Sequence, residues 1–236
     1  MRSRRAGPLP SNTGEQPIPS GSVGAMDIVD PRFDAYMASR LARFDEPVLL
    51  EMEAEGERRH FPIVGRNVGV TLELLARSIA ARRVMELGSG FGYSAYWFAR
   101  AVGPEGEVHC TDGDAANAEA GRDYLHRAEL GDRVTYHVGD ALESFAGIDG
   151  DFDVVFSDID KPGYPDAWRA ASERIRVGGL YLCDNTLGYG RGTVLDEEEE
   201  GARAIREHNR LIAEDDRFIS TIVPTREGVL AAIRIA

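Results

Sequence analysis

Two acidic stretches and one lysine carry the first chemistry legible in this chain. The stretches are Asp158-Ile159-Asp160-Lys161 and Asp184-Asn185. Two carboxylates and an amide oxygen, from Asp158, Asp184 and Asn185, with positions left over for water or a ligand, suit a hard divalent cation. Mg²⁺ is the expected ion, and Mn²⁺ or Ca²⁺ would accept the same donors. Lys161 is the sole lysine among 27 basic residues, the other 26 being arginine. An arginine stays protonated, whereas a lysine can lose its proton and act as a base. Each acidic stretch alone reads first as a helix cap, because Asp and Asn favour such turns. Together, beside the lone lysine, they favour a site.

A second constellation is the glycine loop Glu86-Leu87-Gly88-Ser89-Gly90-Phe91-Gly92-Tyr93-Ser94. Glycines let the backbone turn tightly and approach a ligand. The dinucleotide fingerprint G-x-G-x-x-G is not met, because Tyr93 stands where its third glycine belongs. A carboxylate at a strand end, Glu86, would repel a pyrophosphate but could bind an α-amino group. That points to a nucleoside cofactor with an amino-acid portion and no phosphate, S-adenosylmethionine. Asp112, closing Val108-His109-Cys110-Thr111-Asp112, suits a ribose diol, and would suit NAD equally. Asp140 and Ala141, after Val138-Gly139, stand where an adenine amino group could be met.

The intervening elements must bring these residues together. Strands are expected near 83–87, 107–112, 133–138, 152–157 and 177–183, with helices near 92–102, 115–130, 141–146, 164–175 and 198–214. Such alternation means a parallel sheet with helices on both faces and one crevice at the carboxyl ends of its strands. Residues 218–223 and 229–235, joined by Pro224-Thr225-Arg226-Glu227-Gly228, read as a hairpin with an antiparallel last strand at the sheet edge. Three helices come first. One starts at Asp30-Pro31, with Phe33, Met37, Leu41 and Phe44 on one face; another restarts at Asp45-Glu46-Pro47 through Val48, Leu49 and Met52. The third runs from about Gly69 to Ala80, with Leu72, Leu75 and Ile79 inward. They predict an N-terminal helical cap over 26–80 on a core over 81–236, one domain in all. Residues 1–25, rich in Pro, Gly and Ser, read as a disordered tail, with Met26 as an alternative start.

Composition narrows the classes. The chain has 236 residues, 43% of them hydrophobic, and a net charge of −13. That hydrophobic share excludes wholesale disorder, and no apolar run reaches the ~18 residues of a membrane helix. The start lacks the apolar core of a secretory signal. An acidic chain argues against a nucleic-acid binder. A cytoplasmic protein is expected, with Cys110 and Cys183 as buried free thiols. The acids from Asp196 to Glu200 read as a solvated helix start rather than a second metal site. His60, His109, His126, His137 and His208 show no ligand spacing. Trp97 and Trp168 read as packing, and Arg191 and Arg226 as loop residues able to approach an acceptor.

With its hairpin ending, the chain resembles the class I S-adenosylmethionine-dependent methyltransferase fold, a Rossmann-like α/β sheet of seven strands with an antiparallel last strand. The two acidic stretches, Asp184-Asn185 extended by Thr186-Leu187, and Gly92-Tyr93-Ser94 resemble the metal-dependent catechol and caffeoyl-CoA O-methyltransferase family, from about Phe61 onward. The resemblance implies metal ligands at Asp158, Asp184 and Asn185, and the catalytic base at Lys161. With the residue readings above, cofactor contacts are expected at Glu86, Gly88, Gly90, Gly92, Tyr93, Ser94, Asp112, Asp140, Ala141, Asp158 and Asp160, the loop Gly92-Tyr93-Ser94 and Asp160 being also implied by the resemblance. It also implies a homodimer and a small aromatic vicinal diol as acceptor. Two departures touch the acceptor side: Gly188-Tyr189-Gly190 replaces a tryptophan found in plant members, and Pro162-Gly163 follows the lysine. The expected activity is metal-dependent O-methylation of a catechol-like hydroxyl. The alternative is metal-independent N- or O-methylation; Glu86 and the missing third glycine speak against an NAD-dependent oxidoreductase.

Overall fold

The computed structural model describes residues 30–189, 192–195 and 199–236. The expected tail, Met26, Arg191 and the acids at 196–198 lie outside the described residues.

Strand and helix alternate as the apolar runs predict. The strands are β1 (Arg83–Leu87), β2 (Glu107–Asp112), β3 (Val134–Val138), β4 (Phe152–Ser157), β5 (Ile175–Cys183), the short pair β6 (Gly188–Tyr189) and β7 (Gly192–Thr193), β8 (Phe218–Val223) and β9 (Val229–Arg234). Between them run α4 (Tyr93–Val102), α5 (Ala115–Arg127), α6 (Ala141–Ala146), α7 (Tyr164–Ser172) and α8 (Glu200–Ala213). The seven-stranded sheet has the order β3-β2-β1-β4-β5-β9-β8. β1 to β5 pair in parallel, and β9 is antiparallel to both its neighbours.

The last strand is antiparallel but does not lie at the edge. β9 inserts between β5 and β8, and β8 is the edge strand. Burial explains the order. Leu230 and Ala232 of β9 are buried, whereas Ile219 of β8 is 62% exposed. The more apolar strand takes the covered position.

Side chains alternate between two apolar clusters, one on each face of the sheet. Val84, Val108, Val154, Phe156 and Leu182 pack against α4 and α5 on one face. Met85, Leu87, Val155, Tyr181 and Cys183 pack against α6, α7 and α8 on the other. Trp97 and Trp168 are buried packing residues, one in each cluster, and both cysteines are buried and free.

The helices α1 (Pro31–Ser39), α2 (Pro47–Arg59) and α3 (Gly65–Ser78) precede the sheet. Leu49 and Met52 of α2 and Val68 and Leu72 of α3 join the first cluster, so the cap shares its core. Asp30 caps α1 as expected, its Oδ1 accepting from the Arg32 amide at 2.9 Å. Phe33 does not face inward, being 65% exposed. α3 begins four residues before Gly69, which is no boundary but a contact: a Cβ there would lie 2.2 Å from Trp97 Nε1. No helix among the described residues is long and apolar enough to cross a membrane.

Candidate active site

Register sets the rim of the sheet. Leu87 pairs with Thr111 and Ser157, and Ser157 pairs with Cys183. The next residue of each strand, Gly88, Asp112, Asp158 and Asp184, therefore emerges at one level. The Asp158 amide donates to Leu87 O at 2.8 Å and that of Asp184 to Ser157 O at 3.2 Å. Above this rim lies a cleft of about 1120 Å³. Its wall includes every site residue expected from the sequence except Glu86 and Gly92.

The glycine loop lies mid-rim, because β1 stands between β2 and β4. Gly88 has φ +83°, and a Cβ there would sit 2.6 Å from Asp158 O, so only glycine lets the loop approach β4. The Gly88 amide donates to Thr111 Oγ1 at 3.1 Å and that of Gly90 to Asp112 Oδ2 at 2.9 Å. Asp112 Oδ1 accepts from the Asp114 amide and from Asn117, and Asn117 Oδ1 accepts from Arg59 of α2 at 2.8 Å. Asp140 lies on the wall and also caps α6, accepting from the Leu142 and Glu143 amides at 2.9 Å. Tyr93 lies on the wall, but its hydroxyl donates to Glu53 of α2 at 2.8 Å.

Glu86 is fully buried behind the loop rather than open at the strand end. It stands two residues short of the rim, paired in register with Cys110 and Phe156. Burial pushes its carboxyl up to about 7, against the pull of Ser94, Ser89 and Cys110, and its Oε1 has no hydrogen-bond partner. Gly92 also sits behind the wall, as the N-cap of α4.

The acidic stretches gather on the β4–β5 side of this loop. Lys161 Nζ donates to Asn185 Oδ1 at 2.6 Å and to Tyr164 Oη at 2.7 Å, and lies 3.6 Å from Asp158 Oδ1. Tyr164 Oη donates in turn to Asp184 O at 2.8 Å. Asp184 is buried; its Oδ2 accepts from Asn185 Nδ2 at 3.3 Å, and its Oδ1 has no partner. Burial raises the carboxyls of both Asp158 and Asp184, and the Asp158 charge raises Asp184 further.

This donor set fits a hard divalent cation. Two carboxylates that burial and proximity keep from ionising together, one with an orphaned buried oxygen, gain from added positive charge. Asp158, Asp184 and Asn185 could hold it, although Lys161 already gives the Asn185 amide oxygen one cationic donor. Among the described residues there is no group of three or more His, Cys, Asp or Glu able to hold a metal. His109 and His137 meet across β2 and β3 at 3.1 Å, away from the cleft wall.

Sequence reasoning missed three parts. Tyr164 is one; its position three residues after Lys161 at a helix start was the available signal. The segment 61–64 forms a wall and carries no element signal at all. Glu227, beside Arg226 in the β8–β9 turn, is the third.

Known proteins agree with this arrangement. A family model described as O-methyltransferase matches residues 42–235. A catechol O-methyltransferase of Mycobacterium tuberculosis is 33% identical over 198 residues, 83% of this chain and 89% of the relative. One of Niastella koreensis is 30% identical over 197 residues, 80% and 88% of the two chains. The O-methyltransferase TomG of Streptomyces achromogenes, involved in tomaymycin synthesis and solved with SAM, superposes with a TM-score of 0.79 at 28% identity, covering 87% of this chain and 96% of its own. Sheet order, rim and likeness converge: the chain belongs to the O-methyltransferase family, as a class I S-adenosylmethionine-dependent enzyme of the caffeoyl-CoA O-methyltransferase-like kind.

Proposed function

We propose that this enzyme methylates one hydroxyl of a small catechol-like vicinal diol, using a divalent cation and Lys161 as base. One observation carries the reading: Asp158, Asp184, Asn185 and Lys161 converge on the β4–β5 side of the cleft, beside the glycine loop. The names of two relatives as catechol O-methyltransferases support it.

S-adenosylmethionine, when bound, supplies a methyl group on a positively charged sulfur. A divalent cation, when bound, supplies charge that acidifies neighbouring hydroxyls. The residues of this chain do the rest. Asp158, Asp184 and Asn185 would hold the cation. Asp112 has lone pairs left for a ribose diol, Asp140 and Ala141 would meet the adenine, and Ser94 and Asp160 would lie near the amino-acid portion. The glycines bring the loop backbone close, Tyr93 braces the loop against α2, and Glu86 backs it from below. Lys161, entering the step as the neutral amine, would take the proton from the acceptor hydroxyl, leaving an oxygen able to receive the methyl group. Holding donor and acceptor in line contributes ~7–11 kcal/mol. The exposed Phe33 and Tyr36 of α1 support a homodimer formed through the cap.

A second reading, metal-independent methylation, draws on Lys161 alone already bringing positive charge to Asn185 Oδ1. Methyl transfer from labelled cofactor to catechol, phenol and aniline tests the substrate. Label in catechol and little in the other two is expected. Label in aniline and none in catechol contradicts the proposal.

A further inference from the structure

Arg226 lies in the turn between β8 and β9 and lines the cleft beside Glu227. Its backbone has φ +48°, a left-handed conformation that side-chain-bearing residues rarely adopt. Nη1 donates to Ile63 O at 2.7 Å, fixing the guanidinium between the hairpin and the segment 61–64. Nε lies 3.5 Å from Glu227, and Nη2 has no hydrogen-bond partner among the described residues. The side chain is 35% exposed, so a ligand in the cleft can reach it.

Charge on the wall makes this position distinctive. Asp112, Asp140, Asp158, Asp160, Asp184 and Glu227 line the cleft, against only Lys161 and Arg226 among its described residues. Lys161 is committed to Tyr164, Asn185 and Asp158. An anionic group entering the cleft meets carboxylates along the wall, Glu227 beside Arg226 included, and Arg226 Nη2 is the cationic donor left without a hydrogen bond among the described residues. The Leu187 amide donates to Glu227 O at 2.8 Å and that of Thr186 to Gly228 O at 3.0 Å, so the turn carrying Arg226 adjoins the segment that follows Asp184-Asn185. Phe61, Pro62 and Ile159 supply apolar wall for a ring.

We propose that Arg226 binds a carboxylate on the acceptor, so that the preferred substrates are catechols bearing an anionic side group. This rests on the diol reading above. A guanidinium–carboxylate bond is charge-assisted and admits a two-point contact.

The test compares kcat/KM for 3,4-dihydroxybenzoate, 4-methylcatechol and 4-(2-aminoethyl)catechol, with Mg²⁺ and saturating cofactor, in the wild type, Arg226→Gln and Arg226→Glu. Calorimetry with S-adenosylhomocysteine verifies that each variant is folded. The wild type should favour the carboxylate over the neutral acceptor by about tenfold or more, the size of one charge-assisted hydrogen bond. Arg226→Gln should bring that ratio near one, and Arg226→Glu should turn the preference towards the amine. Equal losses on all three acceptors would mean that Arg226 only ties down Ile63, and would overturn the proposal. So would a wild type indifferent to acceptor charge. Cofactor-product binding with no methylation of any of the three overturns the diol reading as well.

Discussion

Replacing Lys161 with arginine separates charge from basicity. Nζ is held by Asn185 at 2.6 Å and Tyr164 at 2.7 Å, with Asp158 at 3.6 Å. Arginine keeps the positive charge these groups require but does not release a proton. General-base transfer is worth ~10²–10⁴ in rate, or about 3–5 kcal/mol of barrier. The guanidinium must also fit against buried Tyr164, and such overpacking costs about 1–3 kcal/mol of stability. None of the backbone contacts that pin the glycine loop involves Lys161. Lys161→Arg should therefore bind S-adenosylhomocysteine within a few-fold of wild type while kcat on catechol falls by ~10²–10⁴. Calorimetry and single-turnover methylation at fixed pH measure the two quantities. A kcat within about threefold of wild type would refute the base assignment, the expected loss being at least a hundredfold. Equal losses of binding and turnover would show a folding defect instead.

Other outcomes follow from neighbouring contacts. Tyr164→Phe removes the hydroxyl between Lys161 and Asp184 O. It should cost about 1–3 kcal/mol in denaturant unfolding and lower kcat about tenfold with KM for the cofactor unchanged, an unanchored lysine losing part of the general-base factor. Gly69→Ala would place a Cβ 2.2 Å from Trp97 Nε1. Despite a helix-propensity gain of about 1 kcal/mol, it should lower the urea midpoint through overpacking; a raised midpoint would show that α3 and α4 separate freely. Burial holds His208 down to about 4, beside Tyr181 and Asn209. Between pH 6.5 and 4 the unfolded chain takes up a proton there that the folded chain refuses. The His208 contribution is whole above pH 6.5 and falls by about 3 kcal/mol as pH approaches 4. Urea midpoints at pH 7 and 5 should separate less in His208→Gln than in the wild type.

Much of this was legible in the chain because local signals agreed. β1, β4 and β5 end where apolar runs meet Gly, Ser or Asp, and the rim residues Gly88, Asp158 and Asp184 follow directly. Asp158, Asp184, Asn185 and Lys161 could be grouped because parallel neighbours expose the same end. What escaped depends on distant partners. The order of β8 and β9 is decided by burial against β5, and both read alike as short apolar strands. Gly69 looked like a boundary because its partner, Trp97, lies on another helix. Glu86 looked like a ligand at the strand end, and register placed it two residues too deep. Tyr164 acts through a backbone carbonyl on the neighbouring strand, which no local pattern announces.

The central claim is that Asp158, Asp184 and Asn185 hold a divalent cation required for catechol methylation. The rate of catechol methylation by chelator-stripped enzyme, followed as Mg²⁺ is returned, tests it most directly. The account predicts that stripping abolishes turnover and that Mg²⁺ restores it saturably. Undiminished methylation in the continued presence of chelator would contradict it.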